Sequence, residues 1–276
     1  MSVLENKIDF AVVLAVKRAN PNGDPLNGNR PRTDYNGFGE ISDVCLKRKI
    51  RDRLQEAGFE IFVQSDDRKN DGAKSLRDRA EQGLGKKFGS AETSKAACEK
   101  WFDVRAFGQL FALKKKTGSE NGDTGVSIPI RGPVTLQSAF SVQPVEITST
   151  QITKSVSGEG DGAKRGSDTM GMKHRVDEGI YVFYGSMNPQ LAERTGFSHE
   201  DADAIKKTLP RLFENDASSA RPEGSMEVRK VIWWRHNSKA GQYSSAKVHR
   251  TLSVSPEGGI TVAPLEGLSV EQIDGF

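Results

Sequence analysis

Residues 8–57, IDFAVVLAVKRANPNGDPLNGNRPRTDYNGFGEISDVCLKRKIRDRLQEA, decide how this chain is read. The first nine are almost continuously apolar, as in a strand buried on both faces. Residues 17–39 are polar, and their Asn-Gly and X-Pro pairs are turn punctuation, so little regular structure is expected there. Residues 42–57 have helical spacing, with Ser42 as N-cap, Asp43 at the positive end and Gly58 suited to the C′ position. Leu46, Ile50, Leu54 and Ala57 fall on one side of that helix, and Lys47, Arg48 and Arg51 on the neighbouring flank. A long polar loop held between two core elements is a common place for binding function.

Working outward, residues 59–63 (FEIFV) predict a short strand. Residues 64–95 are charged and glycine-rich and read as an insertion with local helix, before 96–113 return to core composition. Residues 114–125 (KKKTGSENGDTG) are a flexible excursion, and 126–145 a strand interrupted by turn residues. The alternating segment 148–156, a glycine-rich tip at 157–171 and an apolar return at 172–184 predict a long hairpin projecting from the body. Ser198 and Asp201 form a capping box for a helix over 198–209, which Pro210 ends. Residues 228–236 (VRKVIWWRH) are a late strand, and beyond them turns occur without strong periodicity. No internal repeat is visible. Strand–helix–strand at each end, with long insertions between, predicts an α+β chain with a split βαβ (ferredoxin-like) core.

The 276 residues suffice for one large domain with insertions, and 35% hydrophobic against 28% charged residues fits an extended surface. A net charge of only +3 means that any polyanion partner must be argued from local clusters. Cys45 and Cys98 belong to no CxxC or Cys/His cluster, so neither a zinc site nor a disulfide framework is expected, and a reducing compartment fits. Without a signal-like start or a membrane-length apolar run, the expectation is a soluble cytoplasmic protein with no membrane partner.

The usual catalytic motifs are missing: there is no HExxH, GxSxG or Walker A sequence, and the four histidines lie in unrelated contexts. Asp24 and Asp34 in the first loop have the chemistry of a general base or metal ligand, although capping turns and balancing nearby arginines is the plainer role. Arg18, Arg30 and Arg32, with Lys47, Arg48 and Arg51 on the helix, are placed to form a basic strip. Asn20, Asn22, Asn27 and Asn29 add donors and acceptors, and glycines let backbone N–H groups approach phosphates. An ordinary solvated face would look the same. A second patch, Met170, Met172, Lys173, His174 and Arg175, mixes cations with adaptable apolar groups, as suits a surface that grips a backbone while wedging against bases. Its plainer reading is a mobile surface loop. Trp233 and Trp234 read as core and strand-edge residues, and Trp101 and Phe102 as core.

Together these segments resemble a known family. The loop NPNGDPLNGNRPR followed by GFGEISDVCLKRKIRD resembles the backbone subunit of type I-C CRISPR surveillance (Cascade) complexes. So do FDVRAFGQ (102–109), IRGPVTLQ (130–137), ITSTQITKS (147–155), TMGMKHRVDEGIYVFYG (169–185) and the late WWRH strand. The resemblance runs from about residue 8 to residue 236. It implies an RNA-recognition-motif-like palm, finger-like insertions at 64–125 and a thumb hairpin at 147–184. Several copies would run head to tail along one crRNA, beside other Cascade subunits, and leave bases free to pair with target DNA. It implies no catalysis, cofactor or metal. Carried onto this chain, Arg18, Asn20, Arg30 and Arg32 lie on the phosphate track, followed by Lys47, Arg48 and Arg51. Gln151 and Thr153 start the thumb, and Met170, Met172, Lys173 and His174 form its RNA-facing return. Arg105 either contacts RNA or locks palm to fingers; Phe107 is assigned a structural role. Two alternatives remain open: a metal-dependent endoribonuclease using Asp24 or Asp34, and a guide-processing nuclease using His174 as acid–base group.

Overall fold

The computed structural model describes residues 2–112, 127–153 and 170–276. The elements, in chain order, begin with β1 (Ile8–Ala19), the two-residue strands β2 (Gly23–Asp24) and β3 (Arg30–Pro31), β4 (Phe38–Ile41) and α1 (Asp43–Glu56). Three helices follow, α2 (Leu76–Leu84), α3 (Thr93–Lys100) and α4 (Phe102–Phe107), then β5 (Gly108–Ala112), β6 (Ser127–Arg131), β7 (Val134–Leu136) and β8 (Ala139–Pro144). β9 (Ile147–Thr153), β10 (Met170–Met187), α5 (Pro189–Thr195), α6 (His199–Thr208) and β11 (Met226–Arg235) complete the main body. α7 (Ser245–His249), β12 (Leu252–Val254), β13 (Ile260–Val262) and β14 (Ser269–Asp274) close the chain.

The architecture is mixed α+β around a central antiparallel sheet with the order β14-β11-β1-β10-β8-β4. β1 lies in its middle, paired with β10 from Ile8↔Met187 to Ala19↔Val176 and with β11 from Ile8↔Arg235 to Val16↔Met226. That position explains the apolar run: alternate side chains of β1 enter two different cores. Phe10, Val12, Leu14 and Val16 face the helices with Leu46, Ile50, Leu54 and Ile205. Ala11 and Val13 face the C-terminal lobe with Ile232, Trp234, Val248 and Leu252. Trp233 and Trp234 are both buried and divide between these two cores, as their alternation along β11 requires. A third core, Phe62, Ala97, Trp101, Val104 and Phe111, sits within the insertion.

α1 begins where the sequence places it, with the Ser42 hydroxyl accepting from Cys45 N–H. Gly58 follows its end with φ of 89°, a left-handed conformation that glycine adopts without Cβ strain. Ala57 is exposed and does not join Leu46, Ile50 and Leu54 in the core. Ser198 and Asp201 form a reciprocal capping box at α6, and a 3₁₀ turn over Leu209–Arg211 takes over at Pro210.

Several expectations change. β1 extends to Ala19, and the loop beyond it carries the β2–β3 pair, a Thr33↔Gly39 bridge and edge strand β4, so it is more regular than its punctuation suggests. Residues 59–63 form no strand. Ile61 and Phe62 are buried, and the backbone N–H groups of Phe62 and Val63 donate to the Asp103 carboxylate at 2.7 and 3.0 Å instead of to a sheet. The C-terminal stretch supplies three strands, of which β14 pairs with β11. The expected excursion at 114–125 and most of the expected glycine-rich tip, residues 157–169, lie outside the described residues. No described helix is long and apolar enough to cross a membrane.

Candidate nucleic-acid interface

β9 and the first part of β10 form a two-stranded ribbon, from Val176↔Ile147 to Met170↔Thr153, that leaves the sheet. From its base at Val176 toward Met170 its residues are half-buried or exposed, with Met170 63% and Met172 55% exposed. Directly opposed residues share a face and successive ones alternate. Met170, Met172 and His174 therefore lie on one face with Thr153, Gln151 and Ser149. Lys173 lies on the other with Thr150.

The first loop is fastened to this ribbon and to α1. Asn22 Oδ1 accepts from Ser42 N–H and from the Ser42 hydroxyl, both at 2.9 Å, and Arg32 N–H donates to Asn22 O at 3.0 Å. Arg30 Nη1 donates to the Ser149 hydroxyl at 2.9 Å, and that hydroxyl also lies 2.8 Å from His174 Nδ1. Between loop and ribbon is an open cavity of about 240 Å³. Asn20, Gly28 and Asn29 form one side, Ile152, Met172, Lys173 and His174 another, and Ser219 with Ala220 a third. Asn20 is buried; its amide donates to Asn29 O at 2.7 Å, which fixes the amide's orientation and leaves its Oδ1 without a partner among the described residues.

Arg18, exposed and two residues before Asn20, has φ of 52°. The β1–β10 register passes from Lys17↔Glu178 to Ala19↔Val176 and omits it. Left-handed backbone is costly for a residue with a Cβ, and such strain collects at functional sites. Arg32 approaches Asp24 at 3.5 Å, both partly exposed. Thus the structure gathers Asn20, Met172, Lys173 and His174 around one cavity, with Arg30 bonded to Ser149 at the base of the ribbon and Gln151, Thr153 and Met170 further along it.

The expected basic strip on α1 is not a free one. Lys47 pairs with Asp43 at 2.9 Å, Arg48 with Asp52 at 2.6 Å and Asp216 at 3.3 Å, and Arg51 with Asp103 at 2.8 Å. Arg51 also stacks over Phe107, 5.2 Å from its ring centre. Arg105 makes a two-point pair with Asp201 at 2.7 and 2.9 Å and lies over Phe102, so it locks α4 to α6. A helical wheel shows which side a cation faces but not whether a carboxylate 52, 96 or 168 residues away arrives to meet it. Asp24 and Asp34 cap turns: Asp24 accepts from Leu26 N–H at 3.2 Å, and Asp34 from Asn36 and Phe38 N–H, both at 2.9 Å. Ser149, Ser219, Ala220 and Asp216 were not anticipated. Only Ser149 left a trace in the sequence, as the residue that hairpin register sets opposite His174.

A family model described as CRISPR-associated protein Cas7 matches residues 6–272. The chain belongs to the Cas7 family. A Cas7 protein of Haloferax volcanii is 26% identical over 281 residues, covering 96% of this chain and 80% of that one. Two solved chains resemble it at lower identity. One is from a CRISPR RNA-guided surveillance complex described as pre-nicking, with TM-score 0.47 and 17% identity over 83% of this chain and 78% of that one. The other is from a CRISPR RNA-guided surveillance complex, with TM-score 0.43 and 18% identity over 83% of this chain and 68% of that one.

Proposed function

We propose that this Cas7 protein is the crRNA-binding backbone subunit of a type I, I-C-like, CRISPR surveillance complex. Its sheet and first loop act as an RNA-recognition-motif-like palm, its insertion around the third core as fingers, and the β9–β10 ribbon as a thumb. The strand order β11-β1-β10-β8, with α1 before β8 and α6 between β10 and β11, supports the split βαβ reading of the palm. The observation that carries the proposal is the cavity between first loop and ribbon. There Lys173, His174, the amides of Asn20 and Asn29 and the exposed Met172 converge from distant parts of the chain, without a catalytic constellation among the described residues.

On this reading Arg18, Arg30, Arg32 and Lys173 meet phosphates. Asn20, Gln151, Thr153 and His174 hydrogen-bond the strand, and Met170 and Met172 press against bases. Lys47, Arg48, Arg51 and Arg105 mainly hold the protein together. Phosphate contacts carry no sequence information, which suits a guide whose spacer varies. Copies follow one another along the guide, joined by other Cascade subunits, and leave the intervening bases to pair with target DNA. Asp24 and Asp34 are occupied in capping turns, which disfavours the endoribonuclease reading.

Expression together with a guide tests the proposal. RNA of discrete length should copurify through moderate salt, bound to several copies of the chain. Nucleic-acid-free monomer that does not assemble when guide is added would contradict it.

A further inference from the structure

The connection between α6 and β11 carries a carboxylate surrounded by cations. Asp216, whose side chain is largely buried, accepts from Arg48 Nη2 at 3.3 Å, from Arg221 Nε at 3.1 Å and from the Lys49 ammonium. Lys49 is buried in the middle of α1, its ammonium 5.4 Å from the centre of the Phe213 ring. Burial by itself would raise the pKa of Asp216, but Lys49, Arg221 and Arg48 together keep it below the usual carboxylate range. A buried charge cluster is weak as a source of stability, because desolvation offsets most of the attraction. What it fixes is geometry.

Past Asp216 the chain turns tightly, with Ser218 N–H donating to Arg221 O at 2.8 Å and Arg221 N–H returning to Ser218 O at 3.1 Å. This turn presents Ala220 O to Asn20 N–H at 2.9 Å, and further on Ser225 O accepts from Lys17 N–H at 2.8 Å. The 216–225 loop thereby covers the edge of β1 beyond Val16, where pairing with β11 stops. Ser219 and Ala220 become a wall of the same cavity that Asn20 and His174 line.

We infer that Asp216 is a positioning residue of the RNA cleft: with Arg48, Lys49 and Arg221 it clamps the 216–225 loop so that Ser219 and Ala220 close one side of the groove. The inference rests on the RNA-binding reading above. It gives Arg48 and Lys49 a function exercised through a carboxylate and not by touching phosphate.

The test turns on sign. Asp216→Asn removes a negative charge near a polyanion site, so electrostatics alone would tighten binding. Loss of the clamp weakens it. Full-length variants are titrated against fluorescein-labelled, mixed-sequence single-stranded RNA by anisotropy, well below each variant's melting temperature. The expected result for Asp216→Asn is about fivefold weaker binding, with recovery in Asp216→Glu. Ser219→Trp, which crowds the wall without touching the clamp, should weaken binding while leaving the melting temperature unchanged. A folded Asp216→Asn protein that binds as tightly as the wild type, or more tightly, overturns the inference. Should Asp216→Asn fail to fold, undiminished affinity in Ser219→Trp overturns it instead. A wild-type protein that does not bind RNA would overturn the functional reading itself, and that outcome is visible before any variant is made.

Discussion

Arg30 and His174, 144 positions apart in the chain, meet on one hydroxyl: Ser149 Oγ lies 2.9 Å from Arg30 Nη1 and 2.8 Å from His174 Nδ1. Because Arg30 donates to that oxygen, the hydroxyl proton remains available for the histidine nitrogen. The contact joins the first loop to the base of the ribbon while leaving the arginine charge without a counter-carboxylate among the described residues.

Ser149→Ala removes both hydrogen bonds at an exposed place, so the expected loss of stability is small, below about 1 kcal/mol. RNA affinity should fall more than stability, since Arg30 and His174 lose their common anchor. A double-mutant cycle on Arg30→Ala and His174→Ala, read by anisotropy, should show coupling of about 0.5 kcal/mol or more that disappears in the Ser149→Ala background. Additive losses in the wild-type background would remove the link.

Arg51→Ala strips a partly buried partner from the buried Asp103, leaving the carboxylate with two backbone N–H donors. Removing one member of a buried pair costs roughly 3–5 kcal/mol, and the two remaining donors place this case near the lower end. The melting temperature should drop by several degrees, with the slope of RNA affinity against salt unchanged. A shallower slope with intact stability would return Arg51 to the phosphate track.

Acid stability depends in part on Asp9. It is buried, 2.9 Å from His236 Nε2, whose Nδ1 accepts from Gln242 N–H at 3.0 Å. Burial would push the carboxylate up, but the hydrogen bond with His236, the nearby His249 and Ser245 side chains and the charge of Lys7 hold it below the usual range. A group depressed on folding contributes stability above its unfolded pKa, about 3.9 for Asp, and loses it as pH falls below that value toward the folded one. Urea midpoints measured from about pH 6 down to about pH 3 should therefore fall more steeply for wild type than for Asp9→Asn. Parallel curves would show that Asp9 does not carry the acid limb.

Cys98 is buried, and burial pushes its thiol up to about 11. Thiol reagents act on the thiolate, so at mildly alkaline pH the native protein should leave Cys98 unlabelled and denaturant should release it. Peptide mapping after iodoacetamide treatment reads the result; rapid native labelling of Cys98 would mean that the third core opens readily.

Much of the scaffold was legible because its signals are local. The apolar run of β1, the Ser42 cap, Gly58 at C′, the Ser198–Asp201 box and the arms of the hairpin each need only a few neighbouring residues to be read. Phe59–Val63 misled because Phe59 packs on Phe102 and Phe62 on Trp101 and Phe111, while the backbone N–H groups of Phe62 and Val63 go to Asp103 and not to a strand. The C-terminal strands were missed because β12 and β13 span three residues each and β14 is an exposed edge with weak alternation. In the candidate site the loop and the ribbon were legible as segments, while which of their cations meet a carboxylate was not. Whether Arg30 stays available and Arg48 does not depends on Ser149 and Asp216, which the fold brings from far away.

The central claim is that loop and ribbon form one cleft for an RNA backbone. Its most direct test is the salt dependence of binding to two unrelated single-stranded RNAs, for wild type and for Arg30→Ala/Lys173→Ala. Equal affinity is expected for both sequences, with a log–log slope that becomes shallower in the variant by about 0.7 for each phosphate contact removed. An unchanged slope, or strong preference for one sequence, would contradict it.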